Sequence, residues 1–145
     1  MIRTLVLAAS LLLAAPAFAD PPEPLLGRWT FETAPHPNSG CIIAGTADFT
    51  PGVAPRALTV VIEAEERCPR SAQRARVTER CGAVRVDADV QIRCRLVRSN
   101  SPDYVPDHFQ LRLDSPYSMS GRLDDERAWN VPVRFERPGE GALIS

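Results

Sequence analysis

Apolar and polar residues alternate with a period of two along almost the whole chain after residue 25. In one such segment, Leu58, Val60 and Ile62 alternate with the polar Thr59 and Glu63. An apolar period of 3.6 residues, the mark of an amphipathic helix, is nowhere sustained over three turns. Each alternating segment therefore predicts a β-strand with one buried face and one solvated face.

The alternation predicts strands separated by turns that contain most of the prolines. Their expected bounds are 26–33, 41–50, 57–67, 74–84, 89–97, 108–114, 117–123 and 128–136. Eight consecutive strands with short connections favour an all-β fold, an eight-stranded antiparallel up-and-down barrel. A two-sheet β-sandwich is the alternative. Pro132 interrupts the last strand, which predicts a bulge or pairing on one side only, and a barrel that closes imperfectly.

The apolar faces define the interior of the expected barrel. A barrel of this size encloses a space that side chains can just fill, or that holds one small ligand. Two tryptophans and four phenylalanines point inward, which favours a filled interior. The expected interior residues are Trp29, Phe31, Phe49, Ile62, Ile92, Phe109, Leu111, Leu113, Met119, Leu123, Trp129 and Phe135.

Four cysteines allow three disulfide pairings. In an antiparallel hairpin the residue numbers of opposed positions have a constant sum. Pairing Cys41 with Cys68 gives a sum of 109, and pairing Cys81 with Cys94 gives 175. Both sums also oppose apolar residues to each other, whereas a slip of one residue would reverse every face. We therefore predict Cys41–Cys68 and Cys81–Cys94, with Cys68–Cys81 plus Cys41–Cys94 as the alternative.

The first nineteen residues have the parts of a secretory signal peptide. Arg3 is followed by an apolar run from Leu5 to Ala15, and Ala17-Phe18-Ala19 is an A-x-A cleavage site. We expect the protein to be periplasmic or extracellular, in a compartment where disulfides persist, and to have no transmembrane segment. The expected organisation is a signal peptide at 1–19, an extended N-terminal tether at 20–25, a barrel domain at 26–137 and a C-terminal tail at 138–145.

Composition and motifs argue against several functions. Beyond residue 19 the chain has sixteen arginines, no lysine and eighteen acidic residues, a net charge of −2. This balance disfavours nucleic acid or an anionic membrane as the main partner. We find no C-x-x-C, nucleophile motif, phosphate loop or metal-ligand spacing, and expect a monomer that is not an enzyme and uses no cofactor or metal. The acidic run Asp124-Asp125-Glu126 fits a turn, with calcium binding as an alternative.

Leu26-Gly27-Arg28-Trp29 resembles the start of the calycin-like barrels, which include lipocalins, avidins and the periplasmic metalloprotease inhibitors of Gram-negative bacteria. In those families a G-x-W motif opens the first strand, and its tryptophan plugs one end of the barrel beneath a basic residue of the last strand. Gly27 and Trp29 match the motif, and Arg134 and Arg137 are the two candidates for the basic residue. The second lipocalin motif and the biotin-contacting pattern of avidins are absent, and the inhibitors typically carry one disulfide.

We select Trp29, Tyr104, Trp129 and Arg134 as candidate binding residues. Tyr104 belongs to the long connection from 98 to 107, and such loops on a rigid barrel are common recognition sites. The sequence thus predicts a secreted, non-catalytic binding module of lipocalin-like type, for a small apolar ligand or a secreted protein. The resemblance also implies an alternative, a protease inhibitor whose segment 20–25 enters the protease cleft.

Overall fold

A computed structural model of the chain describes residues 23–125 and 129–139. Within these residues eight strands form a closed barrel, in which each strand pairs antiparallel with the next and β1 pairs with β8. The predicted barrel is confirmed, and the alternative sandwich is wrong. The predicted signal peptide and parts of the predicted tether (20–22) and tail (140–145) lie outside the described residues. The strands are β1 (Gly27–Thr33), β2 (Ile42–Pro51), β3 (Ala57–Arg67), β4 (Arg74–Val86), β5 (Asp89–Ser99), β6 (His108–Ser115), β7 (Ser118–Asp124) and β8 (Asn130–Glu136).

Both predicted cysteine pairs and their registers are confirmed. Cys41 and Cys68 form a disulfide that joins the start of β2 to the end of β3. Cys81 and Cys94 form the second, between directly opposed residues of β4 and β5. Asp87 adopts a left-handed backbone (φ 53°) in the tight turn between β4 and β5, a conformation that aspartate tolerates better than most residues.

Aromatic rings fill the centre of the barrel. Phe31 stacks on Phe135 with ring centroids 4.9 Å apart, and Phe109 meets both rings edge to face at 5.5 and 5.3 Å. The other expected interior residues are also buried, except that Leu113 and Trp129 are only partly buried. Buried side chains therefore fill the middle of the barrel.

Pro132 does not prevent closure of the barrel. The register between β7 and β8 is continuous through Arg122↔Pro132, so no bulge forms there. On the other side, pairing with β1 stops one residue earlier, at Thr33↔Val133, and the Pro132 carbonyl accepts a hydrogen bond from Ala34 N–H at 2.8 Å. Of the two expectations for this proline, one-sided pairing is thus observed, and the expected imperfect closure is wrong because the missing N–H falls where the β1–β8 ladder has already ended.

The up-and-down order gives the barrel two different ends. The first, which we call the closed end, carries residues 23–26, the turns 52–56, 87–88 and 116–117, and Arg137. The second, the open end, carries the longer connections 34–41, 68–73 and 100–107, together with Asp125 and Trp129. Of the predicted binding residues, Trp29 lies at the closed end, and Tyr104 and Trp129 lie at the open end.

Candidate functional site

Trp29 plugs the closed end beneath an arginine. The indole is fully buried, and its Nε1–H donates to the Leu25 carbonyl at 2.9 Å. The guanidinium of Arg137 lies 4.4 Å from the centre of the Trp29 ring. It also donates to the carbonyls of Leu26 and Pro116, at 2.8 and 2.7 Å, and to that of Pro24. Of the two candidate cations, Arg137 therefore covers the tryptophan.

Arg134 lies elsewhere, on the outer wall of the barrel. Its exposed side chain pairs with Glu136 on the same strand. Neither Trp29, which is sealed inside the closed end, nor Arg134 approaches the other two candidate binding residues at the open end. The four predicted residues therefore do not form one site.

The first described residues are fastened to the closed end. Leu25 is fully buried, and Glu23 forms an ion pair with Arg85 of β4 at 2.8 Å. Together with the carbonyl contacts of Arg137, these interactions hold residues 23–26 against the barrel. Only residues 20–22 of the expected tether fall before this anchored segment.

Tyr104 and Trp129 come together at the open end. They line a cavity of about 340 Å³, which we call the open-end pocket. The Trp129 ring also packs against His36, with ring centroids 4.8 Å apart. Residues that line the pocket include Ile43, Glu66, Tyr104, Asp107, Asp125 and Trp129. The site thus combines two aromatic side chains with four carboxyl groups, those of Glu66, Asp103, Asp107 and Asp125.

A pair of buried carboxyl groups lies against the pocket. Asp107 is 1% exposed, and Glu79, on the inner face of β4, is 0% exposed. The backbone N–H of Asp107 donates to Glu79 Oε1 at 2.9 Å, and the Tyr104 hydroxyl donates to Asp107 Oδ2 at 2.9 Å. These bonds fix the end of the connection 100–107 to the barrel interior, so Tyr104 has a defined position at the pocket.

Burial and mutual repulsion favour the neutral forms of these acids. The pKa of Asp107 is well above its ordinary value, first because the group is buried and second because Glu79 is near. Burial also raises the pKa of Glu79, against the opposing effect of its hydrogen bonds with Asp107. The pKa of Glu66 is raised by burial and by the charge of Asp125, and that of Tyr104 is raised mainly by burial. The open end therefore concentrates acidic groups in a poorly solvated place.

Sequence reasoning missed Glu79, although a signal was present. The alternation in β4 puts Val77, Glu79, Cys81 and Ala83 on one face, and all four are buried. A break in register also adjoins this glutamate, because Thr78 opposes Arg98 while Glu79 opposes Leu96. Such bulges often occur beside functional sites, where they redirect side chains.

Other candidate sites in the described residues are weaker. Cys41, Glu66 and Cys68 lie within metal-binding distance of one another, but the two sulfurs are joined in a disulfide and offer no thiolate. Wider grooves of about 690 and 780 Å³ lie along β1, β7 and β8 and beside the turn 68–73, without a buried acidic pair. Among residues 23–125 and 129–139, no helix is long and apolar enough to cross a membrane.

Comparison with known proteins identifies the fold but no family. No protein-family model matches the chain, and no curated protein sequence matches it significantly. Three solved structures of designed barrels are similar. A fluorescence-activating β-barrel designed de novo is 19% identical (TM-score 0.57) over 79% of this chain and 94% of that one. The redesigned barrels mFAP1 and mFAP0, both bound to DFHBI, are 17% and 16% identical (TM-score 0.59 for each) over 79% of this chain and 95% and 100% of theirs.

Proposed function

We propose that this chain is a secreted, non-catalytic binding module that holds one small molecule in the open-end pocket. The carrying observation is the convergence of Tyr104 and Trp129 on a cavity of about 340 Å³ above a filled aromatic core. Ligand sites have volumes of roughly 300–1,000 Å³ and combine apolar walls with a few placed polar groups. The volume therefore suits a single small ligand with an apolar body.

The architecture of the ends supports this proposal. Arg137 over Trp29 is the arrangement that the calycin-like resemblance implies for the closed end, and it leaves the opposite end for ligand entry. The similar designed barrels mFAP1 and mFAP0 are bound to DFHBI, which supports a small molecule as the ligand of this barrel. Burial of the two aromatic walls against a ligand would supply the main favourable free energy.

The protease-inhibitor alternative requires the segment 20–25 to enter a protease cleft. Leu25 is fully buried and Glu23 is ion-paired, so both would have to leave the barrel first. A panel of secreted proteases, assayed with the expected mature protein and with a chain that starts at Glu23, tests this alternative. Inhibition that disappears with residues 20–22 would favour it over the small-molecule module.

Native mass spectrometry and tryptophan emission test the proposed module directly. We expect protein isolated from its own cells to retain a small molecule, visible as extra mass only under native conditions. The matched variants are Trp129→Ala, which should lose that mass, and Tyr117→Ala at the closed end, which should keep it.

The second arm uses three added probes with one phenylbutyl body: 4-phenylbutylamine, 4-phenylbutan-1-ol and 4-phenylbutyrate. Binding of at least one of them should change the emission of the wild type but not of Trp129→Phe, in which only Trp29 remains. A bare native mass together with unchanged emission for all three probes would overturn the proposal.

A further inference from the structure

The buried acidic pair, Glu79 and Asp107, is unusual because its carboxyl oxygens accept few hydrogen bonds from the rest of the described chain. Glu79 and Asp107 are almost completely inaccessible, and the described residues provide only two hydrogen bonds to their four carboxyl oxygens from outside the pair's own side chains. One comes from the Tyr104 hydroxyl and the other from the Asp107 backbone. Buried charges normally have a charged partner or a complete set of hydrogen bonds.

Glu79 Oε2 is the specific defect. Within residues 23–125 and 129–139, this buried oxygen has no hydrogen-bond partner. A buried acceptor without a donor is costly, and native structures contain few of them. Apart from a proton shared between the Glu79 and Asp107 carboxyl groups, which are hydrogen-bonded to each other, this part of the chain offers Oε2 no donor, and this favours a donor supplied from outside it.

The surroundings select the charge of that donor. Asp125 is buried beside the same pocket, and Glu66 lies at its edge, close enough for the two to influence each other. Of the described residues that line the pocket, none is an arginine, lysine or histidine. The ring of His36 packs against Trp129, with the two centroids 4.8 Å apart. Several acids in a poorly solvated site attract a cation much more strongly than they would in water.

The aromatic walls suit the same kind of ligand. Tyr104 and Trp129 present π-systems beside the carboxyl groups, and cations bind favourably over such rings. We propose that the open-end pocket takes a small organic cation, an amine or guanidine with an apolar body, whose N–H groups donate to Asp107, the member of the buried pair that lines the pocket. This inference rests on the proposed binding function and specifies the chemical class of its ligand.

The three phenylbutyl probes separate the two ideas, because they share one body and differ only in the charge of the head group. Isothermal titration calorimetry of the wild type should show 4-phenylbutylamine binding about tenfold or more tightly than 4-phenylbutan-1-ol, since charge-assisted hydrogen bonds are about twice as strong as neutral ones. The carboxylate, 4-phenylbutyrate, should bind most weakly of the three. Salt should weaken the binding of the amine only slightly, because buried ion pairs are screened much less than exposed ones, and it should leave that of the alcohol almost unchanged.

Conservative variants assign the effect to the buried pair. Asp107→Asn and Glu79→Gln keep the shape of the side chains, and each should remove most of the preference for the amine over the alcohol. Glu63→Gln is the matched control, because it removes the same charge from an exposed position on the outer face of β3. It should leave the preference unchanged.

Each outcome decides between the two ideas. Equal binding of the amine and the alcohol, or tighter binding of 4-phenylbutyrate, would overturn the inference about the cation while leaving the binding module intact. If Glu63→Gln lost the preference as fully as Asp107→Asn, the long-range charge of the protein would explain it and the assigned site would be wrong. If none of the probes bound to the wild type and no native ligand were retained, the proposed function itself would fail.

Discussion

Replacing Arg137 with methionine should destabilise the barrel much more than the same change at Arg134. The two arginines lie three residues apart on the same terminal segment, and both matched the resemblance equally well. Arg137 contacts the buried ring of Trp29 and donates to three backbone carbonyls, whereas Arg134 pairs with Glu136 in solvent. They therefore form a matched pair that differs mainly in contacts.

The structure sets the expected magnitude. A cation–π contact contributes about 0.5–2 kcal/mol, and a hydrogen bond from a charged group contributes about 1.5–3 kcal/mol. These contributions are not additive, and Arg137 is only partly buried, so water would replace some of them. We expect Arg137→Met to lower the free energy of unfolding by about 2–4 kcal/mol. The exposed ion pair of Arg134 is worth only about 0–1 kcal/mol.

Urea unfolding followed by far-ultraviolet circular dichroism, with both disulfides intact, measures this difference. Arg137→Lys should fall between methionine and the wild type, because an ammonium keeps the charge but lacks the planar fork that reaches several carbonyls. Equal costs for Arg137→Met and Arg134→Met would refute the conclusion that the arginine over Trp29 locks the closed end. A cost below about 1 kcal/mol for Arg137→Met would refute it as well.

Three further predictions concern stability. Leu25→Ala should cost about 2–5 kcal/mol in urea unfolding, since a fully buried leucine is truncated, and a chain that unfolds like the wild type would show that residues 23–26 are not anchored. Arg80 and Arg95 oppose each other across β4 and β5, and neither has an acidic partner among the described residues. Arg95→Glu should therefore raise the free energy of unfolding by about 0.2–1 kcal/mol. A thermal melt with a lower midpoint than that of the wild type would contradict this. Because the pKa values of Glu79 and Asp107 are raised, the folded state keeps protons that the unfolded state has already lost. The free energy of unfolding should therefore decline as the pH rises above about 4, the pKa of these groups in the unfolded chain, and continue to decline up to the raised pKa of Asp107 in the folded state. In Asp107→Asn the free energy of unfolding should depend less on pH in that window, and an unchanged slope would show that other groups cause it.

The fold could be predicted because each strand of a β-barrel has a local sequence pattern, the alternation of inward apolar and outward polar residues. The period of two fixes which residues face inward, and pairing Cys41 with Cys68 fixes a register that any slip would spoil. The same parity would also have decided between the two arginines. Val133 and Phe135 point inward, so Arg134 points outward and Arg137 returns to the inner side.

The site was harder to predict because it depends on contacts between distant segments. Tyr104 was selected for its loop and Trp129 for its strand, and nothing local shows that both reach one cavity. Glu79 was hidden for a different reason: an acidic residue at an inward position contradicts the pattern that identifies the strand. Residues that break the local pattern are expected at functional sites, where a residue needed for function replaces one that would stabilise the fold better.

This contradiction has a physical consequence for what the open end does. A buried acidic pair is weak evidence for stability, since apolar side chains of similar size often serve as well or better. Glu79 and Asp107 are hydrogen-bonded to each other, but when both are ionised they repel each other in a buried place. A cation that donates to Asp107 offsets this repulsion. Burying the pair destabilises the empty barrel, and a charged ligand relieves this cost whereas a neutral ligand of the same shape does not. The charged ligand therefore binds more tightly than the neutral one.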